Sequence, residues 1–137
     1  MKQFTLGKSE RLKSRKLTEE LFSNGQRLTV FPYRVFYMFQ KSENLIVKSK
    51  LQCGAAAGTR NFKKAVDRNR IKRLTREAWR LQKTMLDKKM EGHSHTLLLF
   101  LIYTGKELPA FSFVKEKLAI IVEKLLIIAD ENLASDT

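Results

Sequence analysis

The sequence is poor in the residues that build disulfide frameworks, metal clusters and flexible linkers. Its 137 residues include one cysteine, two histidines, two prolines and six glycines. A single cysteine, Cys53, cannot form an intramolecular disulfide, and its apolar neighbours predict a buried thiol in a reducing compartment. The low glycine and proline counts exclude collagen-like composition, and the chain has no internal repeat. We therefore expect one folded domain, 1–137, with frayed ends at 1–8 and 130–137.

Long hydrophobic runs are also missing. The most apolar stretches, 97–103 and 118–129, are shorter than the ~20 residues that a membrane-spanning helix needs. Residues 1–16 carry charges where a secretory signal would need its apolar run. The sequence therefore predicts a cytoplasmic protein with no membrane partner.

Acidic residues are scarce, and the excess positive charge is concentrated in one segment. The chain has 27 Lys and Arg against 14 Asp and Glu, a net charge of +13. Between Arg60 and Arg80, nine basic and two acidic residues give +7, whereas residues 107–137 are net −3. A basic run can simply be a solvated helix face, but concentration of this kind favours one side that meets a polyanion such as nucleic acid.

Hydrophobic periodicity and turn residues predict an order of helix, strand, strand, helix, strand, helix. This order is typical of a two-layer α+β sandwich with a small mixed sheet, helices on one sheet face and the other face partly open, and it leaves room for one extra short strand. We expect the first two strands to pair as a hairpin. The predicted segments are a helix through Leu17, Leu21 and Phe22 ending at Asn24-Gly25, strands Phe31–Phe39 and Leu51–Ala57 with a turn at Lys41–Asn44, a helix Val66–Met85, a strand Thr96–Tyr103, and a helix after Pro109.

Two of these segments separate polar from apolar residues. Strand alternation places Arg34, Phe36 and Met38 on one face of the first strand. In the helix Val66–Met85, the apolar residues recur every three or four positions, and basic residues occupy the opposite arc. We expect Trp79 at the margin of the core rather than as a stacking platform. The apolar residues of this helix, which form one stripe along it, are Ile71, Leu74, Ala78, Leu81 and Met85.

No catalytic constellation is evident. His93 and His95 offer at most two metal ligands, and Cys53 is far from them in the sequence. The chain has no Walker-type phosphate loop or dinucleotide-binding glycine pattern, and the pair Gly54 and Gly58 alone is weak evidence for phosphate binding. We therefore assign no catalytic and no metal-binding residue to the chain.

The segment from Arg60 to Arg80 resembles a family signature. Its pattern is Ala-Val, one residue, Arg-Asn, two residues, Lys-Arg, two residues, Arg. Ala65-Val66, Arg68-Asn69, Lys72-Arg73 and Arg76 match this pattern without a gap. It is the signature of the bacterial ribonuclease P protein component, and the likeness extends roughly from Ser9 to Leu126.

The resemblance implies a function and partners. A ribonuclease P protein subunit binds a large catalytic RNA, ribonuclease P RNA, and together they cleave the 5′ leader from precursor tRNA. Catalysis by this endoribonuclease would use Mg²⁺ bound mainly by the RNA, with no ion held tightly by the protein. The family fold contains a left-handed β-α-β crossover, an exception to the usual hand. The protein is expected to be monomeric in the complex.

The resemblance also implies two sets of site residues. The precursor leader would lie between the first helix and the open sheet face, at Phe22, Arg34, Phe36 and the small residues of the second strand. Thr18 departs from the family aromatic one turn before Phe22, and Gly58-Thr59 departs from the usual pair before the basic segment. The residues expected to face the catalytic RNA are Arg60, Lys63, Lys64, Arg68, Asn69, Arg70, Lys72, Arg73, Arg76 and Arg80.

Two other functions fit the same charge. A structural ribosomal protein or RNA chaperone would share the basic surface without needing a substrate cleft. A DNA-binding regulator could place a basic helix in a major groove, although no helix-turn-helix partner precedes Val66.

Overall fold

A computed structural model describes residues 11–12, 15–41, 51–91 and 95–134. Several predicted features lie outside the described residues: the end 1–8, residues 135–137 of the other end, residues 42–44 of the turn, and His93. Within the described ranges the chain forms four helices and four strands. They are α1 (Arg15–Asn24), β1 (Gln26–Val30), β2 (Tyr33–Lys41), β3 (Leu51–Ala57), α2 (Ala65–Gln82), α3 (Thr84–Met90), β4 (His95–Tyr103) and α4 (Phe111–Ala134).

The strands form one sheet in the order β1-β2-β4-β3. β1 pairs with β2 and β2 pairs with β4 in antiparallel fashion, whereas β3 pairs with β4 in parallel. The predicted hairpin between Phe31–Phe39 and Leu51–Ala57 is therefore wrong. The apolar β4 takes the central place between them because it can bury both of its faces and pair along both edges. The connection from β3 through α2 and α3 to the parallel strand β4 forms the expected β-α-β unit. The left hand of this crossover stays a prediction.

The true hairpin partner of β2 is β1, a short strand that precedes it. Phe31 and Pro32 form the turn between the two strands, with a cis peptide bond between them, so β2 begins at Tyr33 rather than at Phe31. The register places Phe36 between Arg27 of β1 and Phe100 of β4. This register fixes which side chains share a sheet face.

The first helix ends as predicted. The Gly25 amide donates to the Leu21 carbonyl at 2.8 Å. A Cβ atom on Gly25 would lie 2.4 Å from that carbonyl oxygen. Glycine is thus required here because any side chain would collide with the last turn of α1, and its backbone is not left-handed.

Most of the core lies on one face of the sheet, which we call the back face and which α2, α3 and α4 cover. α1 lies on the opposite, front face. The prediction that all helices share one face of the sheet is therefore wrong for α1. α4 buries Val114, Leu118, Ile121 and Leu125 and continues to Ala134, beyond the predicted fraying point at 130. None of the described helices is long and apolar enough to cross a membrane.

The second helix is shorter than predicted. α2 ends at Gln82 and α3 begins at Thr84, so Leu81 and Met85 leave the predicted stripe and are exposed. Thr75 and Trp79 take their place in the core. Thr75 is tolerated there because its hydroxyl shares a 2.7 Å hydrogen bond with the Tyr33 hydroxyl. Trp79, expected at the margin of the core, is only 1% exposed and lies fully inside it, so it offers no stacking platform.

The cysteine is buried, as predicted. Cys53 lies on β3 in the back-face core. Burial raises the pKa of its thiol well above the ordinary value, and the opposing effect of Arg76 is smaller. A thiol held in its neutral form is a poor nucleophile and a poor metal ligand.

Candidate RNA interface

The segment Gly58–Lys64, which we call the basic loop, joins β3 to α2. Phe62 anchors it: its ring is buried, and its amide donates to the Gly58 carbonyl at 3.4 Å. The Arg68 guanidinium donates to the Phe62 and Lys63 carbonyls at 2.8 and 2.9 Å. Arg68 thus holds the loop in shape, while Arg60, Lys63 and Lys64 remain exposed to solvent.

The outer surface of α2 continues this positive charge. One side of the helix is fixed in the core through Ile71, Thr75, Ala78 and Trp79, so the other side faces away from the sheet. Asn69, Arg70 and Arg73 are exposed, and Lys72, Arg76 and Arg80 are half-buried. The basic loop and this surface bring together all ten residues expected to face the RNA.

Ion pairs reduce the charge at the carboxyl-terminal end of this surface. The Arg80 guanidinium donates to Glu77 at 3.1 Å through Nε. Lys83 Nζ lies 2.5 Å from Asp87 Oδ2. The most positive part of the surface is therefore the basic loop with the first two turns of α2.

The front face carries a second candidate surface, an aromatic cluster of Phe22, Phe36 and Phe100. The ring centroid of Phe22 lies 4.9 Å from that of Phe36 and 5.2 Å from that of Phe100, both in edge-on geometry. Phe36 is only 8% exposed, whereas Phe22 is 37% exposed. Phe22 therefore supplies the accessible ring surface, and Phe36 lies beneath it.

Arginines flank the aromatic cluster. The guanidinium carbon of Arg27 lies 5.2 Å from the centroid of Phe36. Arg34, two positions before Phe36 on the same strand, is exposed on the same face. Aromatic rings beside exposed guanidinium groups are the combination that single-stranded nucleic acid requires, because bases stack and phosphates pair.

The small residues of β3 are partly used inside the molecule. A Cβ atom on Gly54 would lie 2.5 Å from the ring of Phe100, so this ring packs directly over the glycine. Ala56 is half-buried beside Ile102. The ring of Phe100 thus occupies the space above Gly54, and of Gly54 and Ala56 only Ala56 has surface left for a ligand.

Sequence reasoning missed two members of the front-face surface. Phe100 was hidden in the apolar run of β4, and its position became clear only from its pairing with Phe36. Arg27 was missed because β1 was not assigned. The alternation of Arg27 and Thr29 with Leu28 and Val30 is the signal that could have identified that strand.

Metal-binding groups are not clustered in the described ranges, which contain no set of three His, Cys, Asp or Glu side chains suited to an ion. The exposed surfaces described above are instead rich in Lys and Arg, which repel cations. The positive charge of these surfaces therefore disfavours a bound metal ion there.

The fold and its charged surface define a small, basic α+β protein whose positive charge is concentrated on one side. Solved structures share this fold. The RNase P protein of Staphylococcus aureus is similar with a TM-score of 0.64 at 15% identity, over 85% of this chain and 94% of that one. The RNase P protein from Thermotoga maritima gives 0.62 at 24% identity, over 84% and 96%.

Sequence comparison identifies the family. The Ribonuclease P family model matches residues 6–126. The ribonuclease P protein component of Porphyromonas gingivalis is 34% identical over 112 residues, which are 82% of this chain and 80% of the relative. That of Chlorobium phaeobacteroides is 29% identical over 122 residues, 84% of each. The chain belongs to the ribonuclease P protein family.

Proposed function

We propose that the chain is the RNA-binding protein subunit of ribonuclease P and acts with ribonuclease P RNA to remove the 5′ leader from precursor tRNA. The observation that carries this proposal is the match of a ribonuclease P family model to a chain whose charge is concentrated on one surface. The cytoplasmic location and the monomeric state expected from the sequence are part of the proposal.

The catalytic RNA binds to the basic loop and the outer surface of α2. Exposed Lys and Arg side chains there meet the phosphates, and their binding releases condensed counterions. Arg68 acts through the loop: its bonds to two backbone carbonyls keep Lys63 and its neighbours in position. The surface therefore contributes affinity without reading base sequence.

The leader binds on the front face. Phe22 provides the exposed ring, Phe36 and Phe100 support it from below, and Arg34 meets phosphate. Stacking of this kind tolerates any base. Tolerance suits a subunit that must accept leaders of many sequences.

Magnesium in this proposal is held by RNA phosphates, where it would supply metal-assisted hydrolysis. The protein itself provides no nucleophile. Its positive charge lowers the repulsion between the folded RNA and the leader, and so favours the bound substrate.

Reconstitution tests the proposal. The full chain, the cognate ribonuclease P RNA and an end-labelled precursor tRNA are combined at low magnesium, with RNA alone as the control. We expect faster cleavage with the protein. Binding to ribosomal RNA with no effect on precursor cleavage would instead support a ribosomal protein or RNA chaperone.

A further inference from the structure

An apolar groove of about 510 Å³ lies where the β1–β2 turn, the segment after β4 and the first turn of α4 meet. Phe31 and Pro32 form one side, and Leu108 and Phe113 lie among the residues that follow β4. Phe31 is 73% exposed and Phe113 is 38% exposed. Phenylalanines left in solvent around a concave surface are typical of a binding site.

The floor of this groove is fixed by hydrogen bonds. The amide and the hydroxyl of Thr104 both donate to the Pro32 carbonyl, at 2.7 and 2.8 Å. The Tyr103 hydroxyl donates to the Glu107 carbonyl at 2.7 Å. A Cβ atom on Gly105 would lie 2.5 Å from the Tyr103 hydroxyl oxygen. The groove is therefore preformed, which lowers the entropic cost of binding.

The groove is continuous with the basic loop. The Asn61 side chain donates to the Thr104 and Gly105 carbonyls, at 3.2 Å each, and both of these residues line the groove. Arg60 directly precedes Asn61 in the chain and is exposed. An RNA strand that contacts Arg60 can therefore reach the groove.

The charges around the groove suit a nucleotide. Lys106 lines it and is exposed, and Lys117 Nζ lies 5.4 Å from the ring centroid of Phe113. Glu107 is the one carboxylate among the lining residues. An aromatic ring beside a lysine can hold a base and its phosphate together, whereas an apolar peptide would leave these lysines unpaired.

We infer that this groove binds an unstacked base of the RNA that contacts the basic loop, with the base against Phe31 or Phe113. The inference rests on the proposed function and adds a base-binding site to it. Bases that leave an RNA helix are commonly stacked on aromatic side chains. One such stack corresponds to a change of about five- to a hundredfold in affinity.

Variants of Phe31 test the inference through equilibrium binding of the full-length protein to ribonuclease P RNA at several salt concentrations. Phe31→Ala should weaken binding about five- to a hundredfold without changing the salt dependence, because no phosphate contact is lost. Phe31→Leu should weaken it similarly, since leucine keeps apolar bulk but has no ring. Phe31→Tyr should bind like the wild type. Ile127→Ala, which removes an exposed apolar side chain from α4, is the matched control.

Several results would overturn the inference. Wild-type affinity in Phe31→Ala would show that no base stacks there, and wild-type affinity in Phe31→Leu would show that apolar bulk suffices and that no ring stacks on a base. A change in self-association alone would assign the groove to a second copy of the chain. Ultraviolet cross-linking of a nucleotide to the peptide containing Phe31 or Phe113 would support it. If the wild-type protein itself fails to bind the RNA, the proposed function fails as well.

Discussion

Phe22 and Phe36 are neighbours on the front face, yet their exposure gives them different roles. Phe36 is almost fully covered, so its main contribution is to folding. Phe36→Ala should lower the free energy of unfolding by about 3 kcal/mol, because it leaves a cavity beneath Phe22. Urea denaturation measures this change. Phe31→Ala, which removes the same type of side chain from an exposed turn, should lower the free energy of unfolding by less than about 0.5 kcal/mol. If the two variants lost equal stability, burial would not explain the role of Phe36.

The exposed ring of Phe22 is the better probe of leader binding. Phe22→Ala should weaken binding of precursor tRNA to the assembled enzyme by about 1 to 3 kcal/mol, the range for one lost base stack. Mature tRNA has no leader, so its affinity should stay the same. Ile127→Ala serves as the control for a lost exposed side chain. Equal losses for the two tRNAs would show that Phe22 does not contact the leader.

Tyr33 makes stability depend on pH in the alkaline range. Burial raises its pKa from 10.0 to about 12, and the hydrogen bond with Thr75 only partly opposes this effect. Above pH 10 the unfolded chain loses this proton while the folded chain keeps it, so stability falls as pH rises through the folded value. Tyr33→Phe should therefore lose less stability than the wild type between pH 10 and 12. The free energy of unfolding of both proteins is measured from pH 10 to 12. An equal fall in the two proteins would show that the Tyr33 hydroxyl is not the cause.

At the scale of elements, α2 shows what periodicity can and cannot predict. Its existence, its core side and its basic side were predictable because the charged and apolar residues segregate at helical spacing. Its end was not, since Met85 continues the spacing after the helix has stopped at Gln82, and Leu81 in the last turn is exposed. The role of Arg68 in holding the basic loop was also hidden, because no sequence pattern reveals a side chain that turns back to Phe62.

The sheet was predictable in its strands but not in its order. Strand composition identified β2, β3 and β4, because aromatic, β-branched or continuous apolar residues favour strands. Pairing depends on contacts distant in sequence, and neighbouring strands were wrongly assumed to form a hairpin. β1 was missed because Gln26–Val30 is short and largely exposed at the sheet edge.

The charged surface of α2 yields a prediction about salt. Arg70 and Arg73 are exposed and make no contact that holds the loop, so Arg70→Ala with Arg73→Ala should leave stability unchanged. The slope of log affinity against log salt for ribonuclease P RNA should flatten by about 1.5, since each lost phosphate contact contributes about 0.7 to 0.9. The double variant Lys115→Ala with Lys124→Ala removes equal charge from α4 and should keep the wild-type slope. The same flattening in both would mean that only net charge matters.

At the scale of the whole molecule, charged and aromatic residues are concentrated on two different sides. The basic loop and α2 carry the positive surface on the back of β3, and the front face of the same sheet carries the aromatic cluster. β3 thus connects a surface suited to a folded RNA with one suited to a single strand. Such an arrangement can hold a leader beside the RNA that cleaves it without any catalytic group on the protein.

This division of labour predicts how magnesium should affect the enzyme. Phosphates of the RNA and the leader repel one another, and either magnesium or a protein of net charge +13 can reduce that repulsion. The wild-type protein should therefore lower the magnesium concentration needed for half-maximal cleavage of precursor tRNA, and the Arg70→Ala, Arg73→Ala variant should restore part of the requirement. Excess magnesium should remove the difference, as measured by single-turnover cleavage across a magnesium titration.

Two outcomes would contradict the prediction in different ways. If the protein accelerated cleavage equally at every magnesium concentration, relief of charge repulsion would not be its contribution. If RNA-free protein cleaved the precursor, the chain would contain a catalytic group of its own. The second result requires protein from which RNA has been removed under denaturing conditions, because a surface this basic retains nucleic acid through purification. Cleavage that survives this treatment and nuclease digestion would assign the chemistry to the chain.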